Sequence, residues 1–208
     1  MKKGLLTLLV LISLTSMAYA DSVKPEVYCY KKNFGLKLEN TEITKPEYSK
    51  IIKLGENAWI VQYKHKYGIM NHKGEYIIKP KYRWADRVAQ NLVKLGNDND
   101  YGVYDDKGNI IIPPEYSLIE RISKDFFITC KNYKYGLIDL SGKVVLRNNF
   151  DSIFIPSEGT LVLQYQGEWY KLSVVKEDGI NFEVKSSDDE DGNTIGEMVI
   201  KTTAASGY

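Results

Sequence analysis

Two histidines, two cysteines and one run of carboxylates are the side chains of this 208-residue sequence whose types and spacing could support chemistry. His65 and His72 could begin a zinc site, but zinc takes three or four ligands and neither cysteine lies near them in sequence. A serine–histidine–aspartate device has no nucleophile-elbow signature to support it. Phosphate-binding loops and dinucleotide fingerprints are absent. In the acidic run, taking Gly192 as the sixth position of a calcium loop puts Ser187, Asp189 and Asp191 at one, three and five. The twelfth position then falls on Met198, with Glu197 one residue off, so the bidentate ligand fails. The expectation is no catalytic residue, no cofactor-binding residue and no metal ligand.

Cys29 and Cys130 each stand five residues before an aromatic, Phe34 and Tyr135. An oxidising compartment favours pairing, and a disulfide needs Cα atoms within about 7 Å. In an open array of β units the two would lie roughly 28 Å apart or more, at two strand spacings per unit. An open array therefore predicts free thiols, whereas a closed ring could join them.

The first twenty residues read as a signal peptide. Lys2 and Lys3 precede an apolar run from Leu5 to Leu14, and Ala18-Tyr19-Ala20 fits a cleavage site after Ala20. The run is short for a membrane span, which needs about 20 residues. The expected location is periplasmic or secreted, with no membrane span in the mature chain. Without Lys2 and Lys3 the chain holds 26 basic and 27 acidic residues. That balance lacks the clustered basic face of a nucleic-acid binder, so no nucleic-acid partner is expected.

What positions the remaining side chains is a repeat. Phe34, Tyr67, Tyr101, Tyr135 and Trp169 are spaced by 33, 34, 34 and 34 residues, a fixed period that marks a tandem array. Gly35, Gly68, Gly102 and Gly136 follow the first four; Tyr170 breaks the rule in the fifth. Three copies continue with an Asx-x-x-Gly turn, Asn71 to Gly74, Asp105 to Gly108 and Asp139 to Gly142. Asx can bond the turn backbone and Gly tolerates positive φ. The turn predicts hairpins such as Tyr67–Met70 with Glu75–Lys79. Pro80 and Pro114 should end the second strand, two residues before Tyr82 and Tyr116; the fourth copy has Asn148 for Pro and keeps Phe150. A second strand pair closes each unit, such as Ser49–Leu54 with Ala58–Tyr63. Only Trp84 to Leu95 reads as a helical turn. The ring beside each Gly is expected to pack on the neighbouring unit's hairpin, the Gly allowing close backbone approach.

Aromatic-Gly, Asx-x-x-Gly, aliphatics, Pro and an aromatic together resemble the bacterial WG-repeat family, from Phe34 to about Leu172. The resemblance implies an interaction module without assigned catalytic residues. The signature residues it marks are structural: Phe34, Gly35, Tyr67, Gly68, Gly74, Pro80, Tyr82, Tyr101, Gly102, Gly108, Pro114, Tyr116, Tyr135, Gly136, Gly142, Phe150 and Trp169.

The expected fold is all-β: four to five short antiparallel hairpin repeats in a solenoid-like array, with a small propeller as the alternative because 34 residues look short for a four-stranded blade. Residues 1–20 form the signal peptide, 21–172 the array, 173–201 a C-terminal β-hairpin cap, and 202–208 a disordered tail. The expected function is non-catalytic binding of a protein or peptide partner in the bacterial envelope, with cell-wall glycan as the alternative ligand and an enzyme as a third class. Tyr30, Tyr63 and Tyr165 recur just before unit boundaries and could form the binding face.

Overall fold

The computed structural model describes residues 24–157, 160–177 and 181–186. They are all-β, in five antiparallel meanders. The first sheet is β1 (Glu26–Tyr30), β2 (Asn33–Leu38) and β3 (Thr41–Glu42). The second is β4 (Lys50–Lys53), β5 (Ala58–Tyr63), β6 (Lys66–Asn71) and β7 (Tyr76–Tyr82). The third is β8 (Trp84–Ala89), β9 (Leu92–Asn97), β10 (Asp100–Asp105) and β11 (Ile110–Tyr116). The fourth is β12 (Leu118–Arg121), β13 (Phe126–Lys131), β14 (Lys134–Asp139) and β15 (Val144–Phe150). The fifth is β16 (Ser152–Ser157), β17 (Thr160–Tyr165), β18 (Glu168–Glu177) and β19 (Asn181–Ser186). Two compact units divide the described residues, one of 24–93 with 106–108, the other of 94–105 with those described between 109 and 186.

Both strand pairs expected in each repeat exist, but they join differently. A sequence unit running from one aromatic-Gly to the next gives its first two strands to one sheet and its last two to the following sheet. Thirty-four residues therefore do suffice for four strands, because these strands are only four to seven residues long. Residues 84–95 form β8 and the start of β9, not a helical turn. Their hydrophobic spacing is that of an outer strand with few buried positions.

The proline expectation is also corrected. Pro80 lies inside β7 and Pro114 inside β11. Tyr67 pairs with Tyr82 and Ile69 with Ile78, so two steps on β6 face four on β7. β10 with β11 and β14 with β15 repeat that bulge. Bulges are where a sheet tolerates a residue without N–H. In the fourth copy Asn148 takes the place of Pro, and its amide donates to the carbonyls of Thr129 and Lys134 at 3.0 and 3.1 Å.

Two clusters show how neighbouring sheets share a core. Leu36, Tyr48, Trp59, Val61 and Met70 join the first sheet to the second. Ile128, Leu137, Leu146, Phe150, Ile153, Leu161 and Leu163 join the fourth to the fifth. Inner strands are buried on both faces, as in AWIV of β5, which is why they read as unbroken apolar runs. β18 runs from Glu168 to Glu177 without a break and β19 adds as its fourth strand. β18 and β19, where the cap is expected to begin, belong to the fifth sheet. Residues 1–20 and 187–208 lie outside the described residues.

Candidate functional site

Each repeat places its two aromatics differently. The ring after the bulge is core: Tyr48, Tyr82, Tyr116 and Phe150 are all buried. The ring before Gly is half-exposed at Phe34, Tyr67, Tyr101 and Tyr135, and exposed at Trp169. Tyr67 lies beside Lys50 of its own sheet, whose ammonium stands 6.0 Å from the ring centroid and 3.4 Å from the hydroxyl. From β9, a different place in its sheet, Lys94 stands over Tyr101 at 5.8 Å and donates to the Ile119 carbonyl at 3.1 Å. Tyr135 packs against the cluster shared by the fourth and fifth sheets, and the turn glycine makes a further contact, to the preceding unit.

That contact recurs. Gly74, Gly108 and Gly142 have φ of +82°, +86° and +89°. A Cβ on Gly74 would meet Ile43 and Thr44, one on Gly108 would meet Ile77, and one on Gly142 would strike the Ile111 carbonyl. Each turn therefore docks on a residue 31 positions earlier, in the unit before. The Asx side chain holds the turn's shape. Asn71 Oδ1 accepts from the N–H of Lys73 and Glu75 at 2.9 and 3.0 Å. Asp139 Oδ1 accepts from Ser141 and Lys143 at 2.8 and 2.9 Å. The other signature glycine serves the bulge. A Cβ on Gly102 would stand 2.9 Å from the Ile112 carbonyl oxygen, and one on Gly136 2.6 Å from that of Leu146.

Lysine ammonium groups stand over several tyrosine rings. Besides the two pairs above, Lys31 stands over Tyr30 at 5.2 Å, Lys64 over Tyr63 at 5.1 Å, Lys81 over Tyr82 at 5.2 Å and Lys131 over Tyr116 at 5.9 Å. An ammonium over a ring face contributes about 0.5–1 kcal/mol at exposed sites. Of the three tyrosines expected to form a face, only Tyr30 is free of the core, at 57% exposure. Tyr63 leans on Tyr48 and Tyr165 on Phe150, each at 5.9 Å between centroids. Sequence reasoning missed the most exposed ring among the described residues, Tyr133 at 94%, which sits on the two-residue turn after β13. Its neighbour Asn132 shares its positive φ, and that asparagine was the available signal.

The remaining candidates stay dispersed. His65 lies on the exposed β5–β6 turn and His72 on the exposed β6–β7 turn. Among the described residues no group of three or more His, Cys, Asp or Glu could hold a metal ion. Cys29 is exposed, Cys130 is buried, and both are free thiols. A recess of about 200 Å³ opens beside Lys53, Leu54, Glu56, Arg87, Gln90 and Asn91. In the first sheet, Tyr28 gives its hydroxyl to the Glu42 carboxylate and to the Thr44 carbonyl. Desolvation and then Glu42 push that phenol up to about 12. Tyr48 is likewise raised, first by burial and then by the Tyr76 hydroxyl 2.9 Å away. Both phenols stay protonated at neutral pH and act as hydrogen-bonding struts.

Comparison with known proteins agrees with this anatomy at the level of the repeat. The WG containing repeat matches residues 67–95, 101–135 and 135–169. Among curated proteins no relative matches. Among solved structures, Hsv2p of Kluyveromyces lactis is 14% identical over 64% of this chain and 49% of that one, with a TM-score of 0.36. A symmetrical protein of de novo evolutionary origin is 11% identical over 84% of this chain and 93% of that one, with a TM-score of 0.27. The chain spans about half the length of the Hsv2 structure it matches. The chain is a WG-repeat protein over residues 67–169.

Proposed function

We propose that this WG-repeat chain is an exported, non-catalytic protein of the bacterial envelope whose repeat surface binds a protein or peptide partner. The observation that carries the reading is the series of lysine-capped tyrosine rings. The repeat spends its other invariants, two glycines and a buried aromatic, on holding sheets together. The ring before Gly stays half-exposed beside a lysine in two successive repeats, at Tyr67 and Tyr101. The half-exposed rings and the exposed Lys50 suit acidic or aromatic side chains of a partner. The signal-peptide pattern of residues 1–20 supports export, and the scattered histidines and acidic groups support the absence of chemistry.

Affinity capture from envelope extract tests the reading. A discrete partner retained by the protein and lost from the double variant Lys50→Ala, Lys94→Ala is the expected result. Equal capture by that variant refutes the surface. Cell-wall glycan is the second reading, favoured by Trp84 at 59% exposure and by Trp169, 46% exposed and edge-on to Phe154 at 6.0 Å. Sedimentation with purified peptidoglycan decides it, since absence of enrichment removes it.

A further inference from the structure

Among the described residues the first sheet has three strands and each of the other four has four. No described strand takes its outer edge, the place of β4, β8, β12 and β16 in the others. The consequence is chemical. In three complete sheets the residue opposite the aromatic of each aromatic-Gly position offers its carbonyl to the outer strand. Gln62 accepts from the Ser49 N–H at 2.9 Å, Cys130 from Ser117 at 2.8 Å, and Gln164 from Asp151 at 2.8 Å. The counterpart in the first sheet is Cys29, opposite Phe34. Phe34 spends its own N–H and carbonyl on Tyr48, on the far side from β1. Leu36, opposite Val27, likewise accepts from Ile43 and donates to the Thr44 hydroxyl. Antiparallel pairing alternates sides, so the backbone groups of Val27 and Cys29 point out of the sheet along its open edge.

We infer that β1 is a docking edge for an extended segment of a partner protein, which adds antiparallel as the missing fourth strand and carries an acidic residue two positions before an aliphatic one. The inference rests on the partner-binding reading above and names the segment that reading leaves open. The molecule's own outer strands supply the template. Ile51, Ile119 and Ile153 occupy one repeat position, facing Val61, Thr129 and Leu163. The corresponding residue of β1 is Tyr28, whose ring lies over Gly35 and is pinned by Glu42. The incoming aliphatic would lie beside that ring. Charge selects the residue before it. In the fifth sheet Asp151 accepts from the Gly167 N–H at 3.4 Å and pairs with Lys134. The turn of the first sheet at the place of Gln166-Gly167 is Lys31-Lys32. Of the other charges at this edge, Lys24 pairs with Glu56 and Glu26 with Lys37. The edge is left positive where an aspartate would arrive. Strand addition of this kind takes affinity from main-chain bonds and specificity from alternate side chains.

The test uses the protein as purified, its N-terminus fixed by mass, and a capped peptide Asp-Ser-Ile-Phe-Ile, the chain's own 151–155. The expected result is saturable binding with amide shifts centred on Val27 and Cys29, slowed exchange of those two amides, and weakening as salt rises. A Lys-Ser-Ile-Phe-Ile peptide should bind about two- to five-fold more weakly, the scale of one exposed ion pair. Lys32→Glu should invert that preference. Val27→Pro, which removes an outward N–H at an edge that tolerates proline, should abolish binding while the far-ultraviolet spectrum stays unchanged. No shift at β1, or shifts scattered over the surface, overturns the inference. So does protection of the Val27 and Cys29 amides before peptide is added. In that case a doubled mass identifies a second copy as the occupant, and an unchanged mass identifies the chain's own N-terminal residues. If a captured envelope partner is retained by Val27→Pro but lost from the lysine double variant, the partner reading stands and the strand-docking inference fails alone.

Discussion

Two kinds of turn alternate along this chain, and they answer to different demands. The Asx-x-x-Gly turns at Asn71–Gly74, Asp105–Gly108 and Asp139–Gly142 are pressed against the unit before. The two-residue turns at Lys31-Lys32, Lys64-His65, Asn132-Tyr133 and Gln166-Gly167 also take positive φ at both positions, and a Cβ on Gly167 would meet nothing within 4 Å. Both need left-handed backbone, yet only the first kind demands glycine for space as well. The lesson is that backbone strain of the order of 1 kcal/mol per residue is tolerated at a free tip, whereas lost volume at a joint is not.

Substitution can break this contrast. Gly142→Val should be the most damaging change, because it combines positive φ with a collision against the Ile111 carbonyl. We expect a loss of about 3 kcal/mol or more in urea unfolding. Gly102→Val lies at ordinary φ but crowds the Ile112 carbonyl and Pro114. A loss of about 1–3 kcal/mol should follow, read as a lower melting temperature. Gly167→Ala carries only the φ penalty and should cost about 1 kcal/mol. If it proves as costly as Gly142→Val, the distinction between the turns is wrong. At the free tips the sign should reverse: Tyr133→Gly should stabilise by up to about 1 kcal/mol, since it relieves φ at a position that packs on nothing.

The smallest effect concerns pH. Asp151 is held below the usual carboxylate value chiefly by its hydrogen bond to Lys134. A depressed carboxylate contributes stability that is present above its unfolded pKa, about 3.9, and is lost as pH falls through the lower folded value. Thermal unfolding followed from about pH 6 down to about pH 2 should show a shallower acid limb in Asp151→Asn. An identical limb would remove Asp151 from the joint.

Much of this was legible because repetition amplifies weak signals. A single Tyr-Gly or Asp-x-x-Gly means little, but each recurs at a fixed offset, so turns, strands and the period came from the residues themselves. The half-unit stagger between sequence repeat and sheet did not. Hydrogen-bonded neighbours are set by which strands find a partner, and a period has no natural starting point. Pro80 and Pro114 misled for a related reason, since the bulge that accommodates them depends on a glycine twelve residues earlier, Gly68 or Gly102. The turns at Lys31-Lys32 and Lys64-His65 were hidden because lysine and histidine stand where glycine or asparagine would have announced them. As for the proposed interaction surface, its lysines do not follow the period: Lys50 and Lys94 reach their rings from different strands. No repeat alignment could reveal it.

The stagger also bears on how small such a protein can be. A fragment of 34 residues cut from one aromatic-Gly to the next would contain two half-sheets and no whole one, each with an edge exposed on the side where its other half should be. The same length cut from an outer strand onward, as over residues 50–82, would keep all four strands of one sheet together. Where the chain is cut, rather than how much of it is kept, decides whether one period carries a whole sheet.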